Sequence, residues 1–293
     1  MSGKTVNSAI LLLVIGNAMA LVSDVFIKLM ESGAPIFQFT FLRCLLTLLM
    51  LLPLYRYIDS RRLFQGLGVH LLRAHVHLAG MVCMVIAIGS LPLATANAIF
   101  YAAPILVMLF AVIFFRERLS GFAGIIVILR PVAIGWGAVA ALGAALALAI
   151  AAVMVRQLPR KQSTVHKLVL SYLLILPASF ALMIIEGAPW DPAILVNSLG
   201  STVFILGYNI TVLLAYKQVD ANQVTSAEYT GLIWAVAIGW IWFNEVPDLW
   251  FLVGSVMIVV PLVLIGLQHR KLRAATVRSG SAGLTQAAAH STN

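Results

Sequence analysis

Four ionisable residues stand inside long apolar stretches of this chain: Asp24, Arg43, His77 and Glu228. An Arg, Lys or Asp at the centre of a bilayer costs about 2.5–3.5 kcal/mol on insertion scales, so such residues are expected to face an interior path or a partner. Asp24 follows Asn17 by seven residues, which puts both on one helix face. Lys28, one turn further on, offers Asp24 an alternative, an i, i+4 ion pair near the helix end. Arg43 can hold a carboxylate through two parallel N–H bonds, or bind the carbonyls of a broken helix. His77 is a candidate for proton coupling because imidazole titrates near neutrality; a hydrogen-bonded packing role competes with that. Glu228 is the one acid in the middle of the second half of the chain. It stands beside Tyr229, with Thr225 on its face. Unpaired there, it would need a proton or a cation; a structural bond to a neighbouring helix is the rival reading.

Weaker polar and aromatic positions extend this set. Asn97 and Tyr101 are one turn apart, ahead of a kink expected at Pro104. Ser198, Thr202 and Asn209 make one polar stripe, and Tyr208 and Trp234 can offer aromatic faces to a ring. Trp136, Trp190, Trp240, Trp242 and Trp250 lie nearer span ends, where an interfacial belt explains them better. The expected binding set for a small molecule is therefore Asn17, Asp24, Arg43, His77, Asn97, Tyr101, Tyr208, Asn209, Glu228, Tyr229 and Trp234. No cofactor and no metal site are expected. Cys44 and Cys83 both fall inside apolar stretches and read as packed free thiols. The chain has no Walker A loop, no HExxH and no GxSxG, so ATP-driven transport and intramembrane proteolysis lose their usual signatures, and no enzyme is expected.

The elements that must position these residues are membrane helices. The chain is 62% hydrophobic and 10% charged, against roughly 25% charged in a soluble domain. Expected spans are 8–30, 35–55, 70–90, 94–115, 121–130, 134–157, 165–186, 194–217, 221–243 and 248–268. The first carries Asp24 and Lys28 and no convincing cleavage site, which argues against a signal peptide. The fifth, GFAGIIVILR, is too short to cross alone. It is either a half-helix or a span that lacks residues after Ser120, and the second reading is preferred. The spans fall into two series offset by 128 residues: 91–117 lies over 219–245, with Tyr101 on Tyr229 and Glu117 on Glu245. The same offset puts Lys28 on Arg156 and Leu42, Leu45 and Leu46 on Leu170, Leu173 and Leu174. With the N-terminus inside, sixteen of the nineteen Lys and Arg residues fall on the cytoplasmic side. The positive-inside rule then places both termini in the cytoplasm, and the net charge of +9 calls for no nucleic acid. Five spans per unit make the second unit enter upside down, an arrangement typical of secondary transporters. The expected organisation is a first unit over 1–131, an inverted second unit over 132–269, and a disordered cytoplasmic tail over 270–293. The sixth span, GWGAVAALGAALALAIAAV, is nearly all small residues and suits close helix packing.

These residues resemble a known family. FLRCLLTLLMLLPL, ATANAIFYAAPILVMLFAVIFFRERLS and GFAGIIVILRP are similar to the EamA domain of the drug/metabolite transporter superfamily. The matching positions are Arg43, Glu117, Arg118, Arg130 and Pro131; the second unit keeps Glu245 but has Val246 in place of the Arg. In detail the chain resembles YddG-type aromatic amino acid exporters of bacterial inner membranes. The resemblance implies an all-α polytopic membrane protein, with ten transmembrane helices in two inverted five-helix repeats around a central cavity, working by alternating access without ATP. It also implies export of amino acids, aromatic and other neutral ones, with a cationic drug or metabolite as the nearest rival substrate. A non-transporting scaffold or receptor would call for a large extramembrane domain, which the short loops do not supply. The expected partners are a small-molecule substrate and the lipid bilayer, with no nucleic acid; a monomer is compatible with all of this.

Overall fold

The computed structural model describes residues 3–30, 33–58, 65–101, 103, 106, 135–159, 161–218, 227 and 230–246. The described residues form eight α-helices: α1 (Gly3–Lys28), α2 (Ile36–Leu51), α3 (Leu67–Ser90), α4 (Leu93–Phe100), α5 (Trp136–Met154), α6 (Thr164–Glu186), α7 (Pro192–Gln218) and α8 (Thr230–Phe243). Six segments, in α1, α2, α3, α5, α6 and α7, are long and apolar enough to cross a membrane. Among the described residues the structure is all-helical, with the long apolar helices of a polytopic membrane protein. The fifth and tenth expected spans, the tail, and the motif residues Glu117, Arg118, Arg130 and Pro131 lie outside the described residues.

The helices begin and end where local chemistry dictates. Ser163 caps α6, its hydroxyl accepting the His166 N–H at 3.1 Å, and Gly187 closes the same helix at φ 59°. Helices α2 and α4 each start after a proline, Pro35 and Pro92, with no capping side chain of their own. Both borrow one from a distant carboxylate. Glu186 accepts the Phe37 and Gln38 N–H groups at 3.0 and 2.8 Å. Glu245 accepts the Leu93 N–H at 2.7 Å. The first-turn donors of a helix are otherwise unpaired, and a negative charge there also suits the helix dipole.

Long-range packing pairs α1 with α7, α3 with α5, and α2 with α6 and α7. The α3–α5 seam shows what the small residues do. A side chain at Gly80 would meet the Ala147 methyl at 2.8 Å, and one at Gly137 would meet Ser90 at the same distance. These glycines let two backbones approach as larger residues would not, which is how membrane helices associate without a hydrophobic driving force. Cys83 packs into this seam and Cys44 is buried in α2, both as free thiols. One apolar core joins Leu21, Val25, Phe39, Ile88, Leu93 and Ile194 toward one end of the bundle. A second, with Leu78, Met81, Tyr172 and Ile175, fills the space among α2, α3 and α6.

Candidate functional site

Asp24 is 7% exposed and Arg43 5% exposed, so two opposite charges are buried in one bundle. Asp24 lies one turn before the end of α1, and Arg43 seven residues from the start of α2. At 1.5 Å per residue these positions are about 6 and 10 Å from the same face of the bundle. Among the described residues no ion pair joins them. The Asp24 carboxylate accepts from the Asn97 amide at 3.2 Å, and Asn97 also donates to the Leu93 carbonyl at 3.1 Å. Arg43 Nη1 is buried with no hydrogen-bond partner among the described residues. A buried guanidinium N–H without an acceptor is costly, and an incoming carboxylate is the group that satisfies it best.

Deeper in α1, Asn17 donates to the Ala227 carbonyl at 3.0 Å and to the Thr230 hydroxyl at 3.1 Å. Tyr101 reaches the same junction, its hydroxyl filling the space a side chain at Gly231 would need. Asn17, Asp24, Asn97 and Tyr101 therefore converge where α1, α4 and α8 meet. Tyr208 packs beside Gly16 on the adjoining face of α1.

The remaining expected residues are placed otherwise. Lys28 does not pair with Asp24; its ammonium binds Glu245 at 2.6 Å, because Asp24 is turned inward to Asn97. His77 packs edge-on against the Tyr172 ring at 6.2 Å between α3 and α6. Asn209 returns its amide to its own helix, donating to Ile205 at 2.9 Å. Ser198 and Thr202 do not line an open stripe. Both are fully buried against α2, their hydroxyls directed at the Phe39 and Arg43 carbonyls, each at 3.4 Å. Trp234 is 36% exposed on a flank of α8 shared with Ile241. Glu228 and Tyr229 lie outside the described residues. Sequence reasoning passed over Tyr172, which is buried beside Arg43 and His77, and Glu186, which holds the start of the helix that carries Arg43. No three metal-ligating side chains converge among the described residues.

The model of the EamA-like transporter family matches residues 7–134 and again 135–267. The chain belongs to the EamA-like transporter family. This EamA protein is a transporter and not an enzyme, and the two matches divide it into two tandem copies of the family unit. It is 25% identical over 275 residues to the pseudopaline exporter of Pseudomonas aeruginosa, covering 87% of this chain and 95% of that protein. It is also 25% identical over 266 residues to the S-adenosylmethionine uptake transporter of Rickettsia conorii, covering 85% of this chain and 89% of that one. The corresponding protein of Rickettsia bellii is 24% identical over 266 residues. These relatives are named for opposite directions of movement, so membership of the family does not fix the direction.

Proposed function

We propose that this protein is a secondary transporter that moves small zwitterionic metabolites of the amino-acid type by alternating access. The observation that carries the reading is the buried Asp24 and Arg43, opposite charges that no ion pair joins among the described residues, with one guanidinium nitrogen unpartnered. A free amino acid supplies an ammonium for Asp24 and a carboxylate for Arg43, with the rings of Tyr101 and Tyr208 to line its side chain. S-adenosylmethionine, for which one relative is named, carries the same amino-acid head group. The narrower resemblance to YddG-type proteins, and not family membership, favours export of aromatic and other neutral amino acids. It also supports ten helices in two inverted units over 1–131 and 132–269, with a central cavity. The same resemblance favours the bacterial inner membrane, and the distribution of Lys and Arg favours both termini in the cytoplasm.

The test is uptake and counterflow in proteoliposomes with labelled tryptophan, phenylalanine, threonine, S-adenosylmethionine and a cationic dye. Exchange of the zwitterions, strongly weakened in both Asp24→Asn and Arg43→Gln, is the expected result. Dye movement without exchange of any zwitterion, and unaffected by Arg43→Gln, would replace this reading with a cationic-drug exporter, because a substrate lacking a carboxylate leaves Arg43 without a role.

A further inference from the structure

Lys28 is the last residue of α1. Its ammonium lies 2.6 Å from Glu245 Oε1 and 2.5 Å from the Leu91 carbonyl at the end of α3. It also stands 5.7 Å from the Phe243 ring centre. The second oxygen of Glu245 accepts the first N–H of α4. One ion pair thus gathers the ends of α1, α3 and α8 and the start of α4, and among the described residues it is the one ion pair in the bundle.

The local chain is shaped to deliver this contact. Asn244 takes the left-handed conformation at φ 52°, which ends α8 and turns the chain back on itself. The Glu245 N–H then bonds the Gly239 carbonyl at 3.0 Å. Gly239 leaves the space into which the carboxylate returns, since a methyl there would stand 3.0 Å from Glu245 Oε2. Both charged side chains are largely withdrawn from water, at 15% and 17% exposure.

Its place relative to the binding residues is specific. Lys28 is one turn beyond Asp24 on α1, and Leu93 is one turn before Asn97 on α4. The ion pair therefore closes over the Asp24–Asn97 contact at a distance of about one helical turn, with Lys28 on α1 itself and Glu245, just past α8, bonded to Leu93 of α4. A solute leaving that contact toward this end of the bundle must part the helix ends that the pair holds together.

We propose that Lys28 and Glu245 form the latch that shuts one end of the transport path, made when this end is closed and broken when it opens. The proposal rests on the alternating-access reading, which requires the helix ends at each face to separate in turn. The distribution of basic residues makes this the outer end.

The test needs no substrate, so its failure is distinct from that of the proposed specificity. The full-length protein carries Cys44→Ala, Cys83→Ala and a reporter Ala20→Cys, one turn deeper than Asp24 on its face. An impermeant thiol reagent is applied to intact cells and, separately, to inverted membrane vesicles. Lys28→Met and Glu245→Gln should each raise labelling from the latched side, on the order of tenfold, and lower it from the other, because removing the latch shifts the population toward the state open at this end. The double variant should exceed neither single one, since both break one contact. Lys28→Arg should keep labelling low. Gln at 245 still offers an oxygen to the Leu93 N–H but loses the charge, so that variant should stay folded and melt only a few degrees below the parent. The side on which labelling rises also reads the orientation of the chain. Rates unchanged from both sides, or raised from both, would overturn the latch: the first means a static contact, the second a loosened fold.

Discussion

Replacing Glu186 should weaken the start of α2 by an amount that the structure lets us grade. Its two oxygens each accept one first-turn N–H, from Phe37 at 3.0 Å and Gln38 at 2.8 Å. Loss of a capping side chain costs about 0.5–2 kcal/mol. Removing a negative charge from a helix N-terminus adds about 0.3–1 kcal/mol. Glu186 is half-buried, so water recovers part of the loss. Glu186→Ala should therefore cost about 1–3 kcal/mol. Glu186→Gln keeps one acceptor oxygen and loses the charge, and should cost roughly half as much. For a chain of this size 1 kcal/mol shifts the melting temperature by roughly 2–4 °C, so the alanine variant should melt several degrees lower, with glutamine between it and the parent. The assay is thermal unfolding of purified protein in one detergent, followed by tryptophan fluorescence. Because α2 carries Arg43, transport should fall in the same order. An alanine variant that melts with the parent would refute the capping role, and a glutamine variant as damaged as alanine would refute the grading by acceptor count.

Asp24→Asn should leave the fold intact, since the amide oxygen still accepts from Asn97, while weakening zwitterion affinity about 10–150-fold, the worth of one charge-assisted hydrogen bond; concentration-dependent exchange in proteoliposomes measures it. Glu228→Gln should keep the protein folded and inserted but cut transport strongly or abolish its pH dependence, checked by exchange rates from pH 5.5 to 8; wild-type rates throughout would leave Glu228 a packing residue. Gly80→Ala should destabilise by about 1–3 kcal/mol, because the added methyl meets Ala147 at 2.8 Å and both backbones must part. Gly89→Ala, with nothing within 4 Å of the new methyl, should be neutral or stabilising in the same melting assay.

The six long membrane helices among the described residues were legible because each is a continuous apolar run, and nothing subtler is needed to recognise a span. The small residues of the sixth span likewise announced a close approach, which the Gly80–Ala147 contact bears out. Partners were not legible, because a helix face says what a residue points toward and not which neighbour waits there. Asp24 and Asn97 are 73 residues apart, and the local choice for Asp24, Lys28, is engaged elsewhere. The Ser198–Thr202 stripe was visible as a polar face, yet a face bonded to another helix's carbonyls looks the same in sequence as one that lines a path. One signal went unused. Pro35 and Pro92 each open a helix with no Ser, Thr, Asp or Asn beside them to cap it. Such a start must find its acceptor elsewhere, and Glu186 and Glu245 at the ends of other helices supply it.

The grip of α7 on α2 has a mechanical consequence. Ser198 and Thr202, four residues apart, reach the carbonyls of Phe39 and Arg43, also four residues apart. Ser23 of α1 is bonded to Ser201 on the next position of α7, at 2.8 Å to its hydroxyl and 2.9 Å to its carbonyl. Sliding or rotating any one of these helices against the others breaks several of these bonds together, so α1, α2 and α7 should travel as a single block. That block takes two helices from the first half of the chain and one from the second. The boundary between moving parts thus cuts across the boundary between the tandem sequence copies. Two conformations of this protein should superpose on α1, α2 and α7, and a superposition on either copy alone would smear a rigid displacement into an apparent internal distortion.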